Sequence, residues 1–322
     1  MLLRHHWLGI GASILAGAFW GLVFLTPELT RGFQPIQLSA GRYLAYGLVA
    51  AVLLAPSWRR VRPLLGWREW KTLALLSLAG NIIYYVFLAN AVLLGGVAMT
   101  SLIIGLLPVT VTLAGRRDAG AAPMLRLLPS LALGVAGLVC ISWQSLSAPQ
   151  HGSLQGSLLG LLCAMGSLAS WTWYAVGNRR ALTRLKGVTA QDWSLLVGVV
   201  TGAQAVLLAV PAFILHPGVH ASSAWWTFAG IVTTVAILCS VVGNALWNHA
   251  SRLLPLTMSG QMIVFETLFA LLYGFLWEQR WPSGLEWLAM ALLLGGVLSC
   301  ASAHRKKAVP EAEVEPDTAL RA

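Results

Sequence analysis

Charge is what this sequence has least of. Of its 322 residues, 10% are Asp, Glu, Lys or Arg, where a soluble globular domain carries about a quarter. So few charges cannot cover the surface of a water-soluble fold of this length. Acidic residues are scarcest, 11 against 21 basic ones, leaving a net charge of +10. Cysteine chemistry is also missing. Cys140, Cys163, Cys239 and Cys300 lie in apolar runs without metal-type spacing and read as small hydrophobes. His216 and His220 are four apart, but Pro217-Gly218 between them breaks any helical pairing, so neither a metal nor a cofactor is expected. Walker-type Gly-Lys-Ser/Thr, Gly-x-Ser-x-Gly and His-Glu-x-x-His stretches do not occur. ATP drive and hydrolase chemistry lack their usual markers, and the chain reads as no enzyme.

What is abundant is apolar length. Apolar residues make up 57% of the chain, and runs of about 18 or more nearly uncharged residues recur, each enough to cross a bilayer as a helix. The expectation is an all-α polytopic membrane protein of about ten spans, near 7–26, 36–55, 72–94, 97–115, 125–143, 155–176, 192–214, 225–248, 256–277 and 285–303. With the N-terminus in the cytoplasm, 18 of the 21 basic residues fall on the cytoplasmic side. The positive-inside rule then places both termini there, in the cytoplasmic membrane. Membrane insertion therefore explains the net charge without any nucleic-acid partner. Trp7, Trp58, Trp67, Trp143, Trp226 and Trp281 stand near span ends, where aromatic belts form. From residue 304 the chain turns acidic and proline-containing, and 304–322 reads as a disordered cytoplasmic tail.

The two halves echo each other. Leu88-Ala89-Asn90 through Ser101 to Leu113 lines up at a constant offset with Leu246-Trp247-Asn248 through Ser259 to Leu271. Two repeats, 7–143 and 155–303, would each hold five spans. Five is odd, so the second repeat enters the membrane upside down. Inverted repeats of this kind recur in transporters, where the halves exchange conformations around a central site.

Several short motifs sharpen this reading. Phe265-Glu266-Thr267, Leu276-Trp277-Glu278 and Leu294-Gly295-Gly296-Val297 in the second half, with Gly105-Leu106-Leu107-Pro108-Val109, Gly41-Arg42-Tyr43-Leu44 and Phe19-Trp20-Gly21 in the first, resemble the ten-helix EamA-type branch of the drug/metabolite transporter superfamily over about 7–303. Thr267 stands where that family commonly has proline, and Trp277 where it has glycine. The resemblance implies a secondary transporter that exports small metabolites such as amino acids. Efflux of lipophilic cations stays open as an alternative, as does a non-transporting subunit or sensor. Partners are then a small-molecule substrate, the lipid bilayer and, for proton coupling, protons; monomer and homodimer both stay open.

Glu266 lies mid-span, roughly 15 Å from the cytoplasmic end at ~1.5 Å per residue, and an acid at that depth usually has a function. It is the candidate for substrate binding or proton exchange, against the alternative of a neutral packing carboxyl. Arg42 is the candidate for charge pairing, with Glu266 or a substrate carboxylate, or else snorkels to headgroups. Trp20 and Trp171, at comparable places in spans one and six, are candidate cavity walls. Tyr84, Gln261 and Asn248 offer polar contacts, alongside Asn81, Tyr85 and Asn244. Pro108 removes a backbone donor mid-span and is the candidate hinge, expected to kink span four.

Overall fold

Helices account for nearly all of this computed structural model, which describes residues 2–115, 124–147, 153–185, 187–215, 218, 220–253 and 262–305, with no strand among them. In chain order they are α1 (Leu2–Leu29), α2 (Pro35–Leu54), the short α3 (Trp58–Val61), α4 (Trp67–Ser77), α5 (Tyr84–Ile104), α6 (Leu107–Ala114), α7 (Met124–Ser147), α8 (Leu154–Arg184), α9 (Ala190–Ala209), α10 (Ser222–Val235), α11 (Asn244–Leu253), α12 (Val264–Glu278) and α13 (Gly284–Arg305). Among the described residues, seven segments are long and apolar enough to cross a membrane. One of them, Trp67–Ile104, is folded back at Gly96, whose φ of 85° only glycine adopts freely. With α12 and α13 added, there are ten passes, the expected number.

Local chemistry sets the helix ends. Ser283 and Glu286 exchange hydrogen bonds with each other's backbone N–H at 3.2 and 2.7 Å, a reciprocal box at the start of α13. Thr189 caps α9 through the Asp192 N–H, and Ser153 caps α8 through the Gly156 N–H, each at 3.0 Å. The apolar outer faces present Leu48, Val52, Val135, Val139, Leu207 and Leu298 outward, as side chains against lipid must. Trp7, Trp67, Trp143, Trp226 and Trp281 are likewise exposed near helix ends.

Small residues decide how the helices meet. In lipid no hydrophobic force draws helices together, so close backbone packing has to. α2 runs along α9, α5 along α8, α7 along α13 and α1 along α12. At the α2–α9 crossing Gly47 and Gly202 face each other; a Cβ on Gly47 would lie 2.4 Å from the Gly202 Cα. Gly17 and Gly21 bring α1 onto the backbone of α12 at Glu266 and Ala270, where a Cβ would come to 2.9 Å of either nitrogen.

Five passes depart from the straight helices the sequence suggests. Span four breaks at Gly105-Leu106, and Pro108 lies in the first turn of the fresh helix α6. Its missing N–H is unneeded there, so the break precedes the proline instead of being a kink around it. Span nine restarts as α12 at Val264, after a turn at Ile263. Glu266 is therefore in the first turn of a helix and not in the middle of one. Three further stretches, Leu78–Ile83, Val210–Leu215 and Ala236–Gly243, are π-helical.

Candidate functional site

Arg42 is where most of the unusual chemistry gathers. It sits on α2 one turn after Ser39, beside Tyr43, and is only 7% exposed. Its guanidinium lies over the Tyr85 ring at 4.5 Å and the Tyr43 ring at 5.2 Å. One hydrogen bond is made, from Nη2 to the Ser240 hydroxyl at a long 3.4 Å. Nε and Nη1 have no partner, and neither do the buried hydroxyls of Tyr85 and Ser39. A buried charge without an ionic partner costs several kcal/mol. Ring contacts return about 2 kcal/mol in a desolvated place, so the account of this side chain does not close on the fold alone.

The helices around it are held by a second unusual device. A π-helical turn widens the ladder and leaves carbonyls free, and such turns are frequent at functional sites. Among residues 236–243 the Cys239 carbonyl accepts the Trp20 indole N–H at 2.9 Å, and the Cys239 thiol donates to the Phe19 carbonyl at 3.0 Å. Gly243 leaves room for the Trp20 ring; a Cβ there would lie 2.7 Å from Nε1. Trp247 packs on the far side, with ring centroids 5.4 Å apart. Trp20 is thus bolted to the segment that supplies Ser240 to Arg42.

Glu266 joins this cluster from α12. It lies in the first turn, where the positive end of the helix dipole favours a carboxylate. It interacts electrostatically with Arg42, Tyr84 and Cys239, but it forms no ion pair with Arg42; the four side-chain ion pairs among the described residues involve other groups. The expected Arg42–Glu266 pairing is therefore absent in this conformation, and so is the snorkelling alternative, since the guanidinium is buried. Tyr84, 8% exposed, faces the same group, and its carbonyl is held by the Ser167 hydroxyl at 3.1 Å.

The other sequence candidates separate. Trp171 packs against Tyr174, centroids 5.9 Å apart, away from Trp20. The ring that matches Trp20 is Tyr174, which rests on Gly80 in the π-helical stretch Leu78–Ile83. Asn248 falls in α11 with its side chain outside the described residues, and Gln261 lies in 254–261, also outside them. Ser39, Tyr43, Cys239 and Ser240 were not read as candidates. A usable signal existed, because Ser39-x-x-Arg42-Tyr43 puts a hydroxyl, a cation and a phenol on one helical face. The Gly-Asn dipeptides Gly80-Asn81 and Gly243-Asn244 also mark two of the three π-helical stretches.

Both ends of the bundle carry closures. Arg60 pairs with Asp192 at 2.6 Å, tying the segment after α2 to the start of α9. Elsewhere Arg280 binds Glu278 at 2.5 Å and Glu286 at 2.6 Å, while Ser283 donates to Gln144 of α7 at 2.7 Å. The hydrogen bonds to Glu286 raise the Arg280 guanidinium further above its ordinary range and keep it charged. At the head of α2, Phe33 stacks on His220 at 4.2 Å and on Phe228 at 4.3 Å, with Trp225 edge-on at 5.0 Å. The Phe228 ring fills the space a Cβ on Gly41 would need, next to Arg42.

Similarity to known proteins converges with this geometry. The sequence profile described as the EamA-like transporter family matches residues 7–143. The inner membrane protein YtfF of Escherichia coli (strain K12) is 33% identical over 326 residues, spanning 95% of this chain and 99% of YtfF. A crystal structure described only as that of a protein superposes with a TM-score of 0.62 over 94% of this chain and 99% of its own. At 20% identity, that likeness shows a shared fold.

Proposed function

This chain belongs to the EamA-like transporter family, within the drug/metabolite transporter superfamily, and from that premise we propose that it is a secondary active exporter of small metabolites such as amino acids. It works by alternating access in the inner membrane, where its relative YtfF resides by name. The observation that carries the reading is the meeting of Arg42 and Glu266 among α1, α2, α5, α12 and the Ala236–Gly243 segment. Two opposite charges near one another but unpaired suit a site whose partner arrives from outside the fold.

The packing supports the two-repeat reading, 7–143 and 155–303. α2 lies against α9, its counterpart in the other half, and α7 lies against α13, also its counterpart. Such self-pairing is what a two-fold axis in the membrane plane produces. The placement of the basic residues supports cytoplasmic termini. Glu266 supports proton coupling, because a carboxyl poised between lipid-buried neighbours can release its proton as substrate exchanges. The lipophilic-cation alternative is disfavoured by the guanidinium, which repels a positive substrate at short range.

Substrate counterflow into liposomes containing the purified protein tests the reading. Exchange of a labelled amino acid is expected, and so is its loss in Glu266→Gln. A well-folded protein that exchanges no amino acid would sink it, while transport indifferent to an imposed pH gradient would remove the proton step alone.

A further inference from the structure

We propose that Arg42 and the Tyr85 hydroxyl form a carboxylate seat, so that the transported solute bears a free carboxylate; this deepens the transport reading and rests on it. Arg42 is the exception among the arginines whose pairing the structure describes. Arg31 is bound to Glu28, Arg60 to Asp192, and Arg280 to Glu278 and Glu286. Each of those three side chains is more exposed than Arg42, so water could have satisfied it at little cost. The buried one is left with Nε and Nη1 unmet.

Beside it, the Tyr85 hydroxyl is also buried and unmet, although the Tyr85 ring lies directly against the guanidinium. A third unmet group, the Ser39 hydroxyl, sits on the same face of α2. Four polar atoms lacking partners, two of them certain donors and two hydroxyls free to donate, describe the outline of an absent acceptor. A carboxylate is the fitting acceptor, because Nη2, with one N–H on Ser240, can set its second N–H parallel to that of Nε or Nη1 in a fork, and a phenol adds a third bond. Glu266 then faces the other end of the bound molecule, where an ammonium group would be welcome and a second carboxylate would not. That arrangement selects amino acids over dicarboxylates.

In this conformation the seat is shut. The Tyr43 and Tyr85 rings cover the guanidinium, and the Phe33–His220–Trp225–Phe228 cluster closes the head of α2 one residue away. Substrate reaches Arg42 when that aromatic cap parts, so binding and gate movement are one event.

The test is a thermal-shift titration of the purified, detergent-solubilised chain, in which a bound ligand raises the unfolding temperature with concentration. The probes are the twenty common amino acids, 3-phenylpropionate, and phenethylamine as the carboxylate-free control. At least one carboxylate is expected to stabilise the protein saturably while phenethylamine does not. Tyr85→Phe is expected to weaken that affinity by about tenfold with little change in the unfolding temperature of the ligand-free protein, because the deleted hydroxyl makes no well-formed hydrogen bond, only near contacts with Thr26 and Arg42. Arg42→Lys, which keeps the charge and removes the fork, is expected to weaken it at least as much. Three results each overturn the seat: no carboxylate binds, phenethylamine binds as well as the acids, or Tyr85→Phe binds like wild type. The transport reading fails separately, if carboxylates bind but no counterflow occurs in liposomes.

Discussion

Gly243 lies against the ring of Trp20, and Gly80 lies against the ring of Tyr174. Each glycine belongs to a π-helical stretch, followed at once by an asparagine, and each ring comes from the helix packed across it. Even the freed carbonyls are treated alike. The Trp20 indole binds the Cys239 carbonyl at 2.9 Å, and the Ser170 hydroxyl binds the Ala79 carbonyl at 2.7 Å. The junctions differ in what surrounds them. On the Gly80 side the polar groups are uncharged and mostly satisfied: Ser167 on the Tyr84 carbonyl, Asn81 on Thr201 at 2.9 Å, Thr110 with Thr172 at 2.9 Å, with the Gln204 amide oxygen the one left unmet. Near Gly243 stand Arg42, with its Nε and Nη1 unmet, and Glu266. The same backbone device serves packing in one place and is loaded with charge in the other, which locates the chemistry on one side of an otherwise matched pair.

Experiments can break that contrast. The largest effect is expected for Arg42→Gln, which should reduce counterflow by about a hundredfold while leaving the unfolding temperature equal or higher, since a buried unmatched charge is removed. A variant that unfolds instead would make Arg42 part of the scaffold, like the Gly80 side. Next come Gly80→Val and Gly243→Val, each expected to destabilise by about 3 kcal/mol through overpacking. The Gly80 change should be the worse, because its Cβ would come within 2.3 Å of the Tyr174 ring; thermal unfolding in matched detergent ranks them. Ser170→Ala and Trp20→Phe each delete a donor to a π-helical carbonyl and should cost about 1–2 kcal/mol. Counterflow should also drop in Trp20→Phe and hold in Ser170→Ala, and equal transport loss in both would erase the distinction between junctions. The smallest effect belongs to Arg60→Ala. That ion pair joins a side chain that is 57% exposed, so a loss of under about 1 kcal/mol, vanishing at high salt, is expected.

Arg42 and Glu266 were visible in the sequence because charge inside an apolar run is rare enough to stand out. Their relation was not. Whether they pair depends on where α2 and α12 lie, and that is set by Gly17, Gly21, Gly41 and Gly47 meeting partners from distant parts of the chain. Trp171 was read as the counterpart of Trp20 and Tyr174 was not considered, as sequence position cannot say which ring finds a glycine. Pro108 drew attention as a breaker, yet the break falls at Gly105-Leu106, because a proline is comfortable in a first turn and leaves the discontinuity to the residues before it.

By itself the sequence determined that the chain is helical, that it crosses a membrane about ten times, and where its scarce charges lie. Those follow from hydrophobic length and from the need to satisfy every backbone group within lipid, which are local requirements. The tertiary structure decided which charges stay unpaired, which ring seats on which glycine and where the π-helical turns open. Those depend on close contact between helices far apart in sequence, and in a bilayer such contacts are chosen by the shape of small residues, a property that no run of hydropathy encodes.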